Sequence, residues 1–210
     1  WKQHPIIYLD MTFAAGRSTS AADLPNTLIN MLKRVAEEYN VALIKSGSHS
    51  AMFGDLIYKL YEKFKVGVVV IIDEYDKPII DHLGTIATAK EIRTFLSEFY
   101  TTIKSLDQHL KFLFITGVSK FSKTSIFSGM NNLKDISLRA EFETICGYTH
   151  EELLTNFSEH IQATAIANNM SAEEMLAALK SWYNGYRFSD FKHQRLIYNP
   201  FSISSALDAQ

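Results

Sequence analysis

The run VVVIIDEYDKP, residues 68–78, decides the reading of this chain. With Val66 and Gly67 before it, the apolar stretch VGVVVII (66–72) is β-branched and does not alternate with polar residues, which predicts a strand buried on both faces of a parallel sheet. Asp73 and Glu74 then follow where an open α/β sheet receives its ligands, at the C-terminal end of a strand. In a phosphate-hydrolysing site the first acid holds Mg²⁺, usually through water, and the second orients or deprotonates the attacking water. The plainer alternative is that acids follow a strand because the chain is leaving the core, and the charges at Asp73, Glu74, Asp76 and Lys77 suit that as well.

Working outward, Pro5 to Phe13 reads as an earlier strand. Leu24, Leu28, Met31, Leu32, Val35 and Tyr39 recur at helical spacing, with Pro25 in the first turn. Phe53, Leu56, Ile57, Leu60, Tyr61 and Phe64 form a second core-facing stripe, and Ile92, Phe95, Leu96, Phe99, Tyr100 and Ile103 a third. A second unalternating run, KFLFITG (111–117), ends in Thr116, Gly117, Val118 and Ser119. Strands separated by helices of this length predict right-handed βαβ units. If the two strands are neighbours, a hydroxyl at Thr116 or Ser119 can meet the attacking water or a terminal phosphate oxygen. An ordinary turn rich in small residues explains the same letters.

Periodicity fails from Ser119 to Asp135, which reads as a long loop. Phe142 to Cys146 is a short strand candidate, and His150 to Ala167 and Ala172 to Tyr183 read as helices capped by Thr149 and Ser171, the first with Glu152 in a capping box. Asn184-Gly185 is a turn signal, so Tyr186 to Phe188 and Arg195 to Tyr198 are expected to pair as a hairpin. The division expected is an α/β core over 1–148 and a mostly helical subdomain over 149–210.

Composition closes several classes. With 210 residues, 47% of them hydrophobic and 12% aromatic, the chain can bury a sizeable core, and 21 basic against 23 acidic residues give no basic patch for a phosphate backbone. Nucleic-acid binding is therefore not supported by charge. No run approaches the roughly 20 apolar residues that span a bilayer, no segment reads as a signal peptide, and a cytoplasmic location is the simplest expectation. The single Cys146 excludes an intrachain disulfide and is expected to be buried packing. The seven histidines show no H-x-x-x-H or Cys/His pairing that would suggest zinc. None of the nine glycines is followed by Lys, so the G-x-x-x-x-G-K-[ST] loop that cradles phosphates is missing and tight nucleotide binding by this chain alone is not expected. The chain opens on Trp1 and enters a strand almost at once, which suggests a start inside a domain.

The stretches VVVIIDEYDKPII, FLFITGVSKFSKTSIFSGMNNLKDISL, ICGYTHEEL, WYNGYRFS and YNPFSI, in this order, resemble the bacterial AAA-ATPase-like family that often carries a C-terminal PD-(D/E)xK nuclease-like domain. The resemblance covers most of residues 66 to 204. It implies a parallel-sheet P-loop NTPase-like core of AAA/ASCE type, here lacking the P-loop strand, because in that family the P-loop precedes a strand similar to PIIYLDMTF. It also implies ATP and Mg²⁺ as ligands of the intact protein, with Asp73 and Glu74 matching the Walker B pair and Ser119, with Thr116, falling in the sensor segment. Asp190-Phe191-Lys192 has D-x-K spacing but no upstream acid on a partner strand, and Gly117-Val118-Ser119-Lys120-Phe121 lacks the closing Gly of a hydrolase elbow. Arg139 and Arg187 are candidates to approach a γ-phosphate, and structural roles explain them equally. The readings left open are an ATPase in the intact protein, inactive as this piece, and a non-catalytic module for a protein or nucleic-acid partner on the same scaffold. A protein partner or self-association remains compatible with either.

Overall fold

The computed structural model describes residues 2–17, 20, 22–119, 126–127, 130, 132–189 and 195–208. They divide into two compact units, Trp1–Leu133 and Lys134–Gln210.

The first unit is α/β. Strands β1 (Ile6–Asp10), β2 (Val68–Asp73) and β3 (Leu110–Ile115) form a three-stranded parallel sheet in the order β1-β2-β3. Helices α1 (Met11–Gly16), α2 (Asp23–Glu38) and α3 (His49–Phe64) connect the first pair, and α4 (Lys77–Ile80) and α5 (Ile86–Ser105) the second. The three apolar stripes seen in the sequence supply the buried faces of α2, α3 and α5, although Phe64 at the end of the second is exposed and Tyr39, Tyr61 and Phe95 are only half-buried. They share one core with Ile7, Leu9, Val68, Val70 and Ile72, and each fully buried Leu, Ile or Phe there contributes about 1.5–3 kcal/mol.

β2 lies in the middle of the sheet, as its apolar run predicts, but its two faces differ. Val68, Val70 and Ile72 are fully buried, whereas Val69 and Ile71 are only half-buried. Register places Ile6 beside Val69 and Phe112, and Tyr8 beside Ile71 and Phe114. On that face Ile6, Tyr8 and Phe112 remain 45%, 51% and 54% exposed. The expectation of burial on both faces is therefore corrected: the helical stripes bury one side of the sheet, and lack of alternation records apolar side chains without saying whether anything covers them.

β1 ends earlier than the Pro5–Phe13 reading. The Asp10 carboxylate caps α1 by accepting from the amides of Thr12 (2.8 Å) and Phe13 (3.3 Å), so the apolar letters after Asp10 belong to a helix.

The second unit holds α6 (His150–Asn156), α7 (Ser158–Ala167), α8 (Ala172–Tyr183), α9 (Pro200–Asp208) and a two-stranded antiparallel sheet of β4 (Asn184–Tyr186) and β5 (Ile197–Tyr198). Thr149 and Ser171 cap α6 and α8 in reciprocal capping boxes with Glu152 and Glu174. Those backbone and hydroxyl bonds hold both glutamates below the usual carboxylate range. The expected helix over His150–Ala167 breaks at Phe157, whose backbone leaves the helical region (φ −120°) while its ring packs on Tyr148 at 5.0 Å. Asn184-Gly185 is not a turn but part of β4. Phe142–Cys146 is not a strand: Ala140–Phe142 is a 3-10 turn followed by further turns, and only Tyr148 pairs, in a bridge to Tyr198. Cys146 in those turns is exposed, which corrects its expected burial.

Candidate functional site

The two strand ends singled out in the sequence meet at the C-terminal edge of the sheet. Asp73 is the last residue of β2, Glu74 is the next, and Thr116 immediately follows β3. The backbone continues the ladder one step past the strands, with the Thr116 amide donating to the Ile72 carbonyl (2.9 Å) and the Tyr75 amide to the Thr116 carbonyl (2.9 Å). This extension delivers the Thr116 hydroxyl to Asp73, where it donates to Oδ1, and the Thr116 hydroxyl oxygen in turn accepts from the Glu74 amide at 3.3 Å. Tyr8 of β1 donates to Asp73 Oδ2 at 3.2 Å, and Asp10 stands beside Asp73 in register. Partial burial, the bond to Asp73 and the carboxylates of Asp73 and Asp10 all push the Tyr8 phenol up, in that order of weight.

These bonds set what each group can do. A threonine hydroxyl has one proton and two acceptor lone pairs. Its proton is committed to Asp73 and one lone pair to Glu74, so Thr116 can accept from a water but can donate to a phosphate oxygen only by releasing Asp73. Asp73 keeps acceptor capacity on both oxygens, since a carboxylate offers about four lone-pair sites.

Glu74 differs from its neighbour in backbone and charge. Its φ of 55° is left-handed, a region that an L-residue with a Cβ enters at a cost of about 1–2 kcal/mol. This twist ends the strand and frees Glu74 from strict alternation with Asp73. Its carboxyl is held above the ordinary glutamate range, first by partial burial and then by the charges of Asp76, Asp73 and Asp10, with Lys77 opposing them.

The fourth expected residue, Ser119, enters through its backbone. Its amide donates to Asp76 Oδ2, and its carbonyl accepts from the Tyr75 hydroxyl at 2.7 Å. Asp76 Oδ1 also accepts from the Val118 amide at 3.2 Å, and the Asp76 side chain is fully buried. The sequence shows Asp76 as one more acid in a charged run, and nothing local marks it as buried. Tyr8, Asp10 and Tyr75 were likewise missed, because their roles depend on pairing across 40 to 65 residues of chain.

Arg139 and Arg187 belong to the second unit. Arg139 Nε donates to the Asp135 carbonyl at 3.2 Å, and Arg187 is exposed. Asp190-Phe191-Lys192 lies outside the described residues.

Among the described residues no group of three or more His, Cys, Asp or Glu could enclose a metal ion. Asp73 and Glu74 place two carboxylates at the sheet edge, while the Asp10 carboxylate beside them is taken up in capping α1. That donor set suits a hard cation such as Mg²⁺, which is commonly bound through one or two carboxylates, water and substrate phosphates.

A three-stranded parallel sheet packed with helices, with carboxylates at its C-terminal edge, is an α/β architecture consistent with a P-loop-like fold. Residues 1–127 match the family described as predicted AAA-ATPase, and the chain belongs to that AAA-ATPase-like family. It is also 35% identical over 202 residues to a protein of Azotobacter chroococcum mcd 1 described as an uncharacterized protein in the vnfD 5′ region. That match covers 96% of this chain and 36% of the relative's own length. No solved structure matches the chain. Among the described residues, no helix is long and apolar enough to cross a membrane.

Proposed function

We propose that the intact protein binds and hydrolyses ATP at the C-terminal edge of this sheet, with Asp73 and Glu74 as its Walker B pair. In this reading Asp73 would help to hold Mg²⁺, and the ion when bound would neutralise charge on the transferring phosphoryl group. Glu74, with its raised proton affinity, takes a proton from the attacking water. Thr116 keeps Asp73 oriented and offers its remaining lone pair to that water, while Ser119 lies in the sensor segment. No Gly-Lys pair exists in the 210 residues, and this reading requires the phosphate-cradling loop to come from other polypeptide of the intact protein. The half-bare sheet face supports this, because all-parallel sheets are normally covered on both sides.

The observation that carries the reading is the hydroxyl of Thr116 donated to the Asp73 carboxylate across neighbouring parallel strands, with the Glu74 amide donating to that hydroxyl oxygen. The test is ATP turnover by the intact protein and its Glu74→Gln variant. Turnover is expected to fall by about 10²–10⁴-fold while nucleotide binding survives, the range for loss of a general base. Undiminished turnover in the variant refutes the assignment.

The second reading, a non-catalytic protein-interaction module, draws on the second unit, where Trp182 and Phe201 are about four-fifths exposed (80% and 81%). Absence of nucleotide binding by the intact protein would favour it.

A further inference from the structure

The segment after β3 is fastened to the turn after β2 by more than its strand ladder. Asp76 is fully buried, and the partners its carboxylate accepts from are not in its own turn but 42 and 43 residues away, the amides of Val118 and Ser119. Taking a carboxylate out of water costs several kcal/mol unless its lone pairs are met, so these two N–H groups are bonds that the buried acid requires. The Tyr75 hydroxyl grips the other side of the same residue at the Ser119 carbonyl, and the fully buried Tyr100 hydroxyl holds the Tyr75 carbonyl at 3.2 Å. Gly117 lies against the pair: a Cβ there would fall 2.5 Å from the Tyr75 ring and 2.6 Å from Asp76 Oδ1.

Between these fastenings sits Glu74, in its left-handed conformation. Its amide and that of Tyr75 are both satisfied by Thr116, the first residue of the fastened segment. A strained backbone persists only where its surroundings over-determine it, and here the surroundings are the Thr116–Ser119 segment. We propose that Asp76 is a positioning residue: by locking Val118 and Ser119 it fixes Thr116, and through Thr116 it sets the backbone of Glu74 and the carboxylate of Asp73. The inference rests on the ATPase reading for its catalytic consequence and on geometry alone for the lock.

The experiment uses the intact protein with Asp76→Asn, which keeps the volume but can accept from only one of the two amides. Turnover of ATP–Mg²⁺ and hydrogen exchange are measured together. The expected result is a kcat lower by about 10- to 100-fold with KM within about threefold, the scale on which a small misplacement acts. Val118 and Ser119 amides exchange faster, while Val70 and Leu113 in the strands keep their protection. Tyr75→Phe leaves the buried acid in place and releases the Ser119 carbonyl from the other side, so it lowers kcat in the same way by about 3- to 10-fold even if Asp76→Asn fails to fold. Unchanged kcat in the folded variants, beside an inactive Glu74→Gln, overturns the positioning role and leaves the ATPase reading standing. Loss of strand protection in Tyr75→Phe as well reduces both residues to fold stability and overturns the proposal. A fully active Glu74→Gln removes the ATPase reading itself, and the positioning of Glu74 falls with it.

Discussion

Replacing Gly117 with alanine adds a single methyl group where the structure has no room. The new Cβ would lie 2.5 Å from two carbons of the Tyr75 ring and 2.6 Å from Asp76 Oδ1, where ordinary contact begins at 3.4 Å. The ring and the carboxylate would each have to retreat by almost 1 Å. Neither is the free end of a flexible chain, because the Tyr75 hydroxyl is bonded to Ser119 and Asp76 is buried on two amides. Overpacking of this kind costs about 1–3 kcal/mol, and weakening a hydrogen bond to a charged group adds about 1.5 kcal/mol. The expected loss is therefore about 2.5–4.5 kcal/mol, or a fall in melting temperature on the order of 10 °C for a unit of this size. Urea and thermal unfolding followed by circular dichroism read it directly. Gly16→Ala is the control, since nothing lies within 4 Å of its added Cβ, and that change should be neutral or stabilise by up to about 1 kcal/mol. In a Tyr75→Ala background the Gly117→Ala cost should shrink, because the ring that the methyl meets is gone. A cost below about 0.5 kcal/mol in the parent, or full additivity in the double variant, would refute the claim that Tyr75 and Asp76 are packed onto this segment.

The remaining expectations concern titration and the second unit. Glu74 is raised above its ordinary 4.5, so the folded protein holds this proton more tightly than the unfolded chain. Its stabilisation is complete below the ordinary glutamate value and is lost as pH rises through the folded one. The acid limb of the kcat/KM profile, which reports the free enzyme, should accordingly lie above that of an ordinary glutamate and move higher still in Lys77→Met, which removes the cation opposing the shift; a limb that does not respond to Lys77→Met would count against Glu74 as the base. In the second unit, a Cβ on Gly147 would come within 2.4 Å of Ile197 and 2.7 Å of the Tyr198 carbonyl, a backbone atom paired to Tyr148. Gly147→Ala should therefore cost about 2–3 kcal/mol and speed amide exchange at Tyr148 and Tyr198, and unchanged exchange there would show that the bridge tolerates the methyl.

Much of the frame was legible without coordinates because it depends on short-range periodicity. Stripes at three- and four-residue spacing sufficed for α2, α3 and α5, a β-branched run for β2 and a second unalternating apolar run for β3. That Asp73 and Thr116 end neighbouring strands was also anticipated, since adjacent parallel strands deliver their C-terminal ends to one edge, but the Thr116 hydroxyl, expected to face water or a phosphate oxygen, is donated to Asp73. Where local signals competed, the reading slipped. Phe142–Cys146 had strand-like letters but no partner strand to supply a ladder, and the apolar letters after Asp10 became helix once its carboxylate capped them.

By itself, the order of residues determined the principal helices and the two central strand runs, their alternation and the absence of a Gly-Lys pair, because these follow from neighbours along the chain. Only the tertiary structure decided that one face of the sheet stays half-bare, that Glu74 turns left-handed, and that Asp76 is a buried lock and not another solvated acid. Burial and hydrogen-bond partnership are properties of residues brought together from 42 or more positions apart. A charged letter in a sequence carries its proton affinity and its size, but what surrounds it is set by the rest of the fold.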